Sequence, residues 1–270
     1  MSDAHVYLQA DMTAPEVVEL AGAKVCVYSR RCPGKATPNE DAALVMPTDG
    51  GGILLAVADG MGGEAHGEIA SRIAIESLRC EVAAVVETDA LVRTAVINGL
   101  ERANEAVLKE AAGAGTTLAA IEISATAARP YHVGDSVVLI VGGRGKIKLQ
   151  TVAHSPVGYG VESGLLDEAD AIHHDDRHII SNFVGTDEMR IDIGSPRKLA
   201  RRDTVLLASD GLFDNLHVDE VVEMVRRGSL TVAVARLATT AAQRMETTGG
   251  GEPSKPDDLT MVALRLSGSS

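Results

Sequence analysis

The residues best placed to do chemistry are carboxylates at the ends of apolar runs. Asp59 follows Ile53-Leu54-Leu55-Ala56-Val57-Ala58 and opens the glycine-rich stretch Gly60-Met61-Gly62-Gly63. Asn39-Glu40-Asp41 precedes Ala42-Ala43-Leu44-Val45-Met46. Ser209-Asp210-Gly211 ends the run Thr204-Val205-Leu206-Leu207-Ala208, and Asp257-Asp258-Leu259-Thr260 opens the run Met261-Val262-Ala263-Leu264. An apolar strand fixes where each acid stands, and several strand ends can converge on one point. Converging carboxylates suit a hard divalent cation such as Mg2+ or Mn2+, which takes oxygen ligands and retains waters. The bare glycines after Asp59 let a carbonyl or a ligand come close. Alone, that glycine-rich strand–loop–helix also fits a phosphate or nucleotide site. The three further acidic clusters favour the metal.

Taken in order, these residues resemble the type 2C metal-dependent Ser/Thr protein phosphatases. The matching stretches are Asn39-Glu40-Asp41-Ala42, Asp59-Gly60-Met61-Gly62-Gly63 with Gly67 and Ala70-Ser71, Gly115-Thr116-Thr117, Gly134-Asp135-Ser136, Ser209-Asp210-Gly211-Leu212 and Asp257-Asp258-Leu259-Thr260. The resemblance runs from about Lys24 to Leu266; any one motif is weak and the ordered set is strong. It implies an α+β fold with four layers: an antiparallel β-sandwich flanked by two pairs of antiparallel helices. It also implies hydrolysis of phosphoserine and phosphothreonine in proteins at a binuclear Mn2+ or Mg2+ centre, with an opposing Ser/Thr kinase. By this resemblance Asp59 bridges both ions and Gly60 offers its carbonyl. Asp210 and Asp257 hold the first ion, Glu40 and Asp41 act at the second, and Asp135 helps bind a third. Two such ions about 4 Å apart share a water, lower its pKa toward neutrality and neutralise the phosphoryl oxygens.

Three positions depart from the family pattern. Ala36 stands where the family has a phosphate-binding Arg, Val137 where an Arg follows Gly-Asp-Ser, and Asp258 where the last motif has Asn. Lys35 is the nearest substitute for the missing Arg, with Arg31 and Arg30 as alternatives; a lysine offers a point charge rather than a fork. His66, just past the second motif, is a candidate proton donor to the leaving oxygen, although an exposed histidine at a helix start explains it as simply. The candidate catalytic residues are therefore Asp41, Asp59, Lys35 and His66. The His173-His174-Asp175-Asp176 run and His178 fit no recognised metal spacing and read as a solvated loop.

Other hydrolytic chemistries lack their residues. No cysteine among Cys26, Cys32 and Cys80 has an arginine six positions on, no Gly-x-Ser-x-Gly elbow occurs, and Gly34-Lys35 is not a P-loop. The odd, widely spaced cysteines make neither a disulfide framework nor a zinc site. A net charge of -13 and 2% aromatic residues argue against nucleic acid. No signal peptide or membrane span is legible, so a cytoplasmic protein, monomeric by preference, is expected. Two other functions stay open: a catalytically impaired binding module, motivated by Ala36, and a metal-dependent hydrolase of small phosphate esters.

The positioning elements follow from periodicity. Residues 1–22 read as an extension without a clear pattern, and 23–268 as a single phosphatase domain. Strands are expected over Ala23–Arg30, Ala42–Met46 and Ile53–Ala58, and an antiparallel helix pair from Glu68 to Val86 and from Asp89 through Val107. Thr116 to Thr151 reads as a strand meander able to form the second sheet. His154 to Asn182 is irregular, either a functional lid or a tolerated insertion. A strand at Thr204–Ala208, helices over Val218–Arg227 and Thr231–Met245, a flexible connector at 249–253 and a final strand complete the chain.

Overall fold

The computed structural model describes residues 4–62, 66–85, 91–111, 113–124, 127–247 and 251–266. Its strands are β1 (His5–Leu8), β2 (Glu16–Leu20), β3 (Ala23–Arg30), β4 (Asp41–Thr48), β5 (Gly52–Met61), β6 (Gly115–Thr116), β7 (Leu118–Ile123), β8 (Ala127–Val133), β9 (Val137–Val141), β10 (Ile147–Gln150), β11 (Asp192–Ile193), β12 (Arg197–Lys198), β13 (Thr204–Ala208) and β14 (Leu259–Leu266). The helices are α1 (Gly67–Val85), α2 (Val92–Glu110), α3 (Pro156–Glu162), α4 (Glu168–Ala171), α5 (Asp210–Phe213), α6 (Val218–Val225) and α7 (Leu230–Glu246). The expected starting point Asp89 and end point Val86 of the first helix pair lie outside the described residues, as do Gly63 and residues 249 and 250.

Among the described residues the strands form two antiparallel sheets. One runs β1-β4-β5-β7-β8-β11, with β12 on β8 and β6 on β5; the other runs β10-β9-β13-β14-β3-β2. Their facing sides bury Val25, Val27, Leu55, Val57, Ile121, Ile140, Leu207 and Val262. The outer side of the first sheet packs Leu44 and Leu54 on Ile75, Leu78, Val96 and Leu100 of α1 and α2. The outer side of the second packs Leu139, Leu206 and Met261 on Val221, Val234 and Leu237 of α6 and α7. This is the expected four-layer order. Both faces of each central strand are covered, so β4, β5 and β13 are continuous apolar runs rather than alternating ones.

Two expectations change. The stretch before residue 23, which showed no clear pattern, contributes edge strands: β1 pairs with β4 and β2 with β3. An edge strand covered on one side needs few apolar residues, so its signal is weak. The stretch from Thr116 to Thr151 is not one meander in one sheet. β7 and β8 belong to the first sheet, while β9 and β10 belong to the second. The chain crosses between sheets at Gly134-Asp135-Ser136. Gly134 has a φ of 104°, and a Cβ there would lie 2.6 Å from Thr117 Cβ, so only glycine fits the crossing. The irregular stretch from His154 holds α3, α4 and a 3-10 turn at Asp175–His178, outside both sheets.

Candidate metal centre

Strand pairing brings the acids together at one end of the sandwich. Asp41, first residue of β4, is the cross-strand partner of Asp59 near the end of β5. Across the sandwich, Ser209 follows β13 and donates its hydroxyl to Asp41 Oδ2 at 2.8 Å, while accepting the Thr260 N–H at 3.0 Å. Thr260 Oγ1 in turn meets Ser29 Oγ at 2.8 Å, and Asn39 Nδ2 donates to Ser29 at 2.9 Å. This buried chain of hydroxyls and an amide locks β3, β4, β13 and β14 in register around the acids. Thr117 Oγ1 accepts the Asp59 N–H at 3.1 Å and lies 2.6 Å from Ser136 Oγ, which ties Asp59 to the turn carrying Asp135.

The cluster is rich in uncompensated negative charge. Asp41 Oδ1, Asp135 Oδ1, Asp210 Oδ1 and Asp214 Oδ2 are buried with no hydrogen-bond partner among the described residues, although Lys255 Nζ stands at ion-pair distance, 2.6 Å, from the last. Native proteins rarely leave such acceptors orphaned, and a cation-binding role is one physical reason for them. Burial, then the charges of Asp41, Asp210, Asp257 and Asp135, hold the Asp59 carboxyl well above the usual range. Burial, then Asp258, does the same for Asp41. Asp135 is pushed up to about 8 by burial and then by Asp210 and Asp214. Asp257 is pushed up to about 7 by burial and then by Asp210, and Asp214 to about 6 by the same two causes.

A pH dependence follows. The folded, metal-free protein holds protons on Asp135, Asp257 and Asp214 that the unfolded chain, with ordinary carboxyl values near 4, releases. Stability of the metal-free protein should therefore rise as the pH falls from about 8 toward 6.5. Below that, His132, lowered to about 4 by burial and then by His154, begins to oppose the gain. Saturating Mn2+ should remove the rise, because the ion binds the deprotonated carboxylates. Thermal melts in chelator and in Mn2+ check this; a metal-free melting temperature flat between pH 8 and 6.5 would contradict it.

Three residues that the sequence did not single out, or placed differently, shape the cluster. Lys255 Nζ lies 2.6 Å from both Asp210 Oδ2 and Asp214 Oδ2, and 3.4 Å from Asp257 Oδ2. Asp214, one helical turn after Asp210, was visible only as a second acid at the spacing that stacks two side chains on one helix face. Asp258 uses both of its carboxylate oxygens in hydrogen bonds. Its Oδ1 accepts the Cys32 N–H at 2.7 Å, and its Oδ2 accepts the Glu40 N–H at 2.7 Å and Lys35 Nζ at 2.6 Å. An asparagine has one acceptor oxygen and could not receive all three. Lys35 and Asp258 thus form a matched pair, and Lys35 also lies 2.5 Å from Glu40 Oε2.

The other candidates sit as follows. Gly60 donates its N–H to Glu40 O at 3.2 Å and lies against Gly67. His66 is exposed just before α1, with its carbonyl accepting the first helical N–H groups; among the described residues no hydrogen bond joins its ring to the acids. The His173–His178 stretch is largely exposed. Behind the Asp135 turn, His154 Nδ1 accepts N–H bonds from Gly134 and Asn182, and its Nε2 lies 3.2 Å from Asp192 Oδ2. His132 donates to Val152 O at 2.8 Å. This buried imidazole pair braces the Asp135 turn. A cleft of about 810 Å³ opens beside Asp135, Asp210 and Asp214, walled by Val152, Val157, Phe213, Leu216 and Arg177. No helix among the described residues is long and apolar enough to cross a membrane.

Comparison with known proteins accords with this geometry. Protein phosphatase PhpP of Streptococcus pneumoniae is 32% identical over 198 residues, 71% of this chain and 80% of that protein. The crystal structure of the Mycobacterium tuberculosis serine/threonine phosphatase PstP/Ppp is 28% identical, with a TM-score of 0.72 over 91% of this chain and 99% of that one. The PstP catalytic domain in complex with two manganese ions is 27% identical, with a TM-score of 0.69 over 91% of this chain and 99% of that one. The family model described as Protein phosphatase 2C matches residues 30–247, and the chain belongs to that family.

Proposed function

We propose that this chain hydrolyses phosphoserine and phosphothreonine in proteins, using Mn2+ or Mg2+ held by the carboxylate cluster. The observation that carries the reading is the set of buried, unpartnered oxygens of Asp41, Asp135 and Asp210 beside an open cleft. Their chemistry is that of a hard-cation site. Asp59, Asp41, Glu40, the Gly60 carbonyl, Asp210 and Asp257 are the groups that would hold the ions. Bound there, such ions acidify water and offset the charge of a phosphoryl group. The chain's own part is placement. Paired strands hold Asp41 and Asp59, the Ser209–Thr260 link holds Asp41 relative to Asp210, and the cleft holds the peptide around its phosphorylated residue. A Ser/Thr kinase must supply that substrate.

Lys35 is the candidate phosphate anchor. Two of its three ammonium hydrogens face Glu40 and Asp258, leaving one for a phosphoryl oxygen. Lys35→Ala is expected to raise KM for a phosphopeptide about tenfold while changing kcat far less, the signature of binding that is equal in ground and transition states. Mn2+ affinity should rise at the same time, because Glu40 loses its counter-ion. Steady-state kinetics and metal titration check both; an unchanged KM removes Lys35 from phosphate binding.

The function itself is tested by a substrate panel. Phosphothreonine and phosphoserine peptides, nucleotides and sugar phosphates are assayed with Mn2+, with Mg2+ and with chelator. Peptide hydrolysis that needs metal supports the reading. Preference for the small esters, or activity that survives chelation, overturns it.

A further inference from the structure

Lys255 stands inside the carboxylate cluster without being part of any metal-binding pattern. Its ammonium contacts Asp210, Asp214 and Asp257, at 2.6, 2.6 and 3.4 Å. The contact is built, not incidental. Asn215, fully buried, clamps the Lys255 backbone from both sides: its Nδ2 donates to Lys255 O at 2.8 Å, and its Oδ1 accepts Lys255 N–H at 2.9 Å. Asn215 follows α5, the short helix that carries Asp210, and the intervening Asp214. Pro253 and Pro256 flank the lysine and restrict its backbone. The element that presents two of the acids therefore also holds the cation that answers them.

From this geometry we infer that Lys255 is a resident third cation, occupying the side of the cluster formed by Asp210 and Asp214 so that the chain binds two metal ions there and not three. The inference rests on the phosphatase reading for the two ions and goes beyond it for the lysine. An ammonium 2.6 Å from two carboxylate oxygens fills the space a third ion would need. A divalent ion demands carboxylate oxygens at roughly 2.1 Å in near-octahedral order, and it cannot share them with an ammonium at that distance. Asp210 keeps its other, unpartnered oxygen for the metal side. The lysine thus divides the cluster. Asp41, Asp59, Asp257 and Asp210 Oδ1 would hold the two ions; Asp214 and Asp210 Oδ2 face Lys255, which leaves Asp135, the acid that the resemblance gives to a third ion, without Asp210 Oδ2 as a second ligand for it. A cation tethered to the chain has no dissociation step, so the third positive charge is present at every free metal concentration. It also lines a smaller pocket with His173, His174, Asp175, Arg177 and His178.

The test counts manganese per chain by equilibrium dialysis and elemental analysis. Wild type should hold two ions, Lys255→Arg two and Lys255→Met three. Asp214→Asn added to Lys255→Met should return the count to two. The third ion of Lys255→Met should bind at least about tenfold more tightly than any third ion in wild type. Three ions in wild type, or two in a folded Lys255→Met protein, overturn the inference. Should Lys255→Met fail to fold, a Mn2+-loaded crystal of wild type decides: an ammonium still on Asp210 and Asp214 supports the inference, and one displaced by an ion overturns it. Two ions bound to a wild type inactive on phosphopeptides would undo the functional reading and leave the lysine's place intact.

Discussion

Asp59→Asn is expected to reduce metal-dependent phosphopeptide hydrolysis by on the order of 10³-fold or more, the scale of losing a preorganised charge-stabilising group. The same change should leave the metal-free fold as stable as wild type, or slightly more so. Both halves come from one fact. Burial and the nearby charges of Asp41, Asp210, Asp257 and Asp135 make the ionised Asp59 costly when no cation is present. Asparagine keeps the shape and removes that cost. Its carbonyl oxygen is a poor replacement for a carboxylate that would hold hard cations. Steady-state kinetics in Mn2+ and melting curves in chelator measure the two halves. A melting temperature far below wild type in chelator would show that Asp59 serves the fold instead.

Gly60→Ala should be strongly damaging although it adds only a methyl group. A Cβ on Gly60 would lie 2.1 Å from Gly67 O and 2.7 Å from Glu40 O, both backbone atoms of other segments. No side-chain rotamer can relieve such a contact, so β5 must part from the start of α1 or from the end of the segment leading into β4. Overpacking costs about 1–3 kcal/mol, and a backbone clash belongs at the upper end. A loss of about 3 kcal/mol corresponds to a fall of roughly 6–12 °C in Tm for a chain near this size. The displaced strand end also carries Asp59, so Mn2+ affinity should fall with stability. Calorimetry and metal titration on the variant test this. Wild-type Tm and affinity together would mean the junction is looser than its geometry indicates.

The parts of the fold that were legible in the sequence are those buried on both faces. β4, β5, β13 and β14 are apolar runs because one side meets the opposite sheet and the other meets helices. α1, α2 and α7 carry apolar stripes at helical spacing for the same reason. β1 and β2 lie on sheet edges, where covering one side leaves little pattern, and they were missed. The sheet change at Gly134 was missed because strand periodicity says nothing about which sheet a strand joins.

The candidate site divides along similar lines. Glu40, Asp41, Asp59, Asp210 and Asp257 were legible because each stands at the end of an apolar run. Lys255 was not, since it approaches Asp210 from 45 residues away through a loop without period. Asp258 was legible as a change of residue but not as the partner of Lys35, because the two are 223 positions apart. A sequence shows which side chains stand at strand ends. It does not show which charge from a distant loop comes to answer them.

The most direct test of the metal centre is an anomalous-scattering map from crystals grown in Mn2+. The carboxylate cluster predicts two strong peaks that share Asp59 as a ligand, one toward Asp210 and Asp257 and one toward Glu40 and the Gly60 carbonyl. A map with no peak within ligand distance of Asp59, from protein that hydrolyses phosphopeptide in the same Mn2+ buffer, would contradict it.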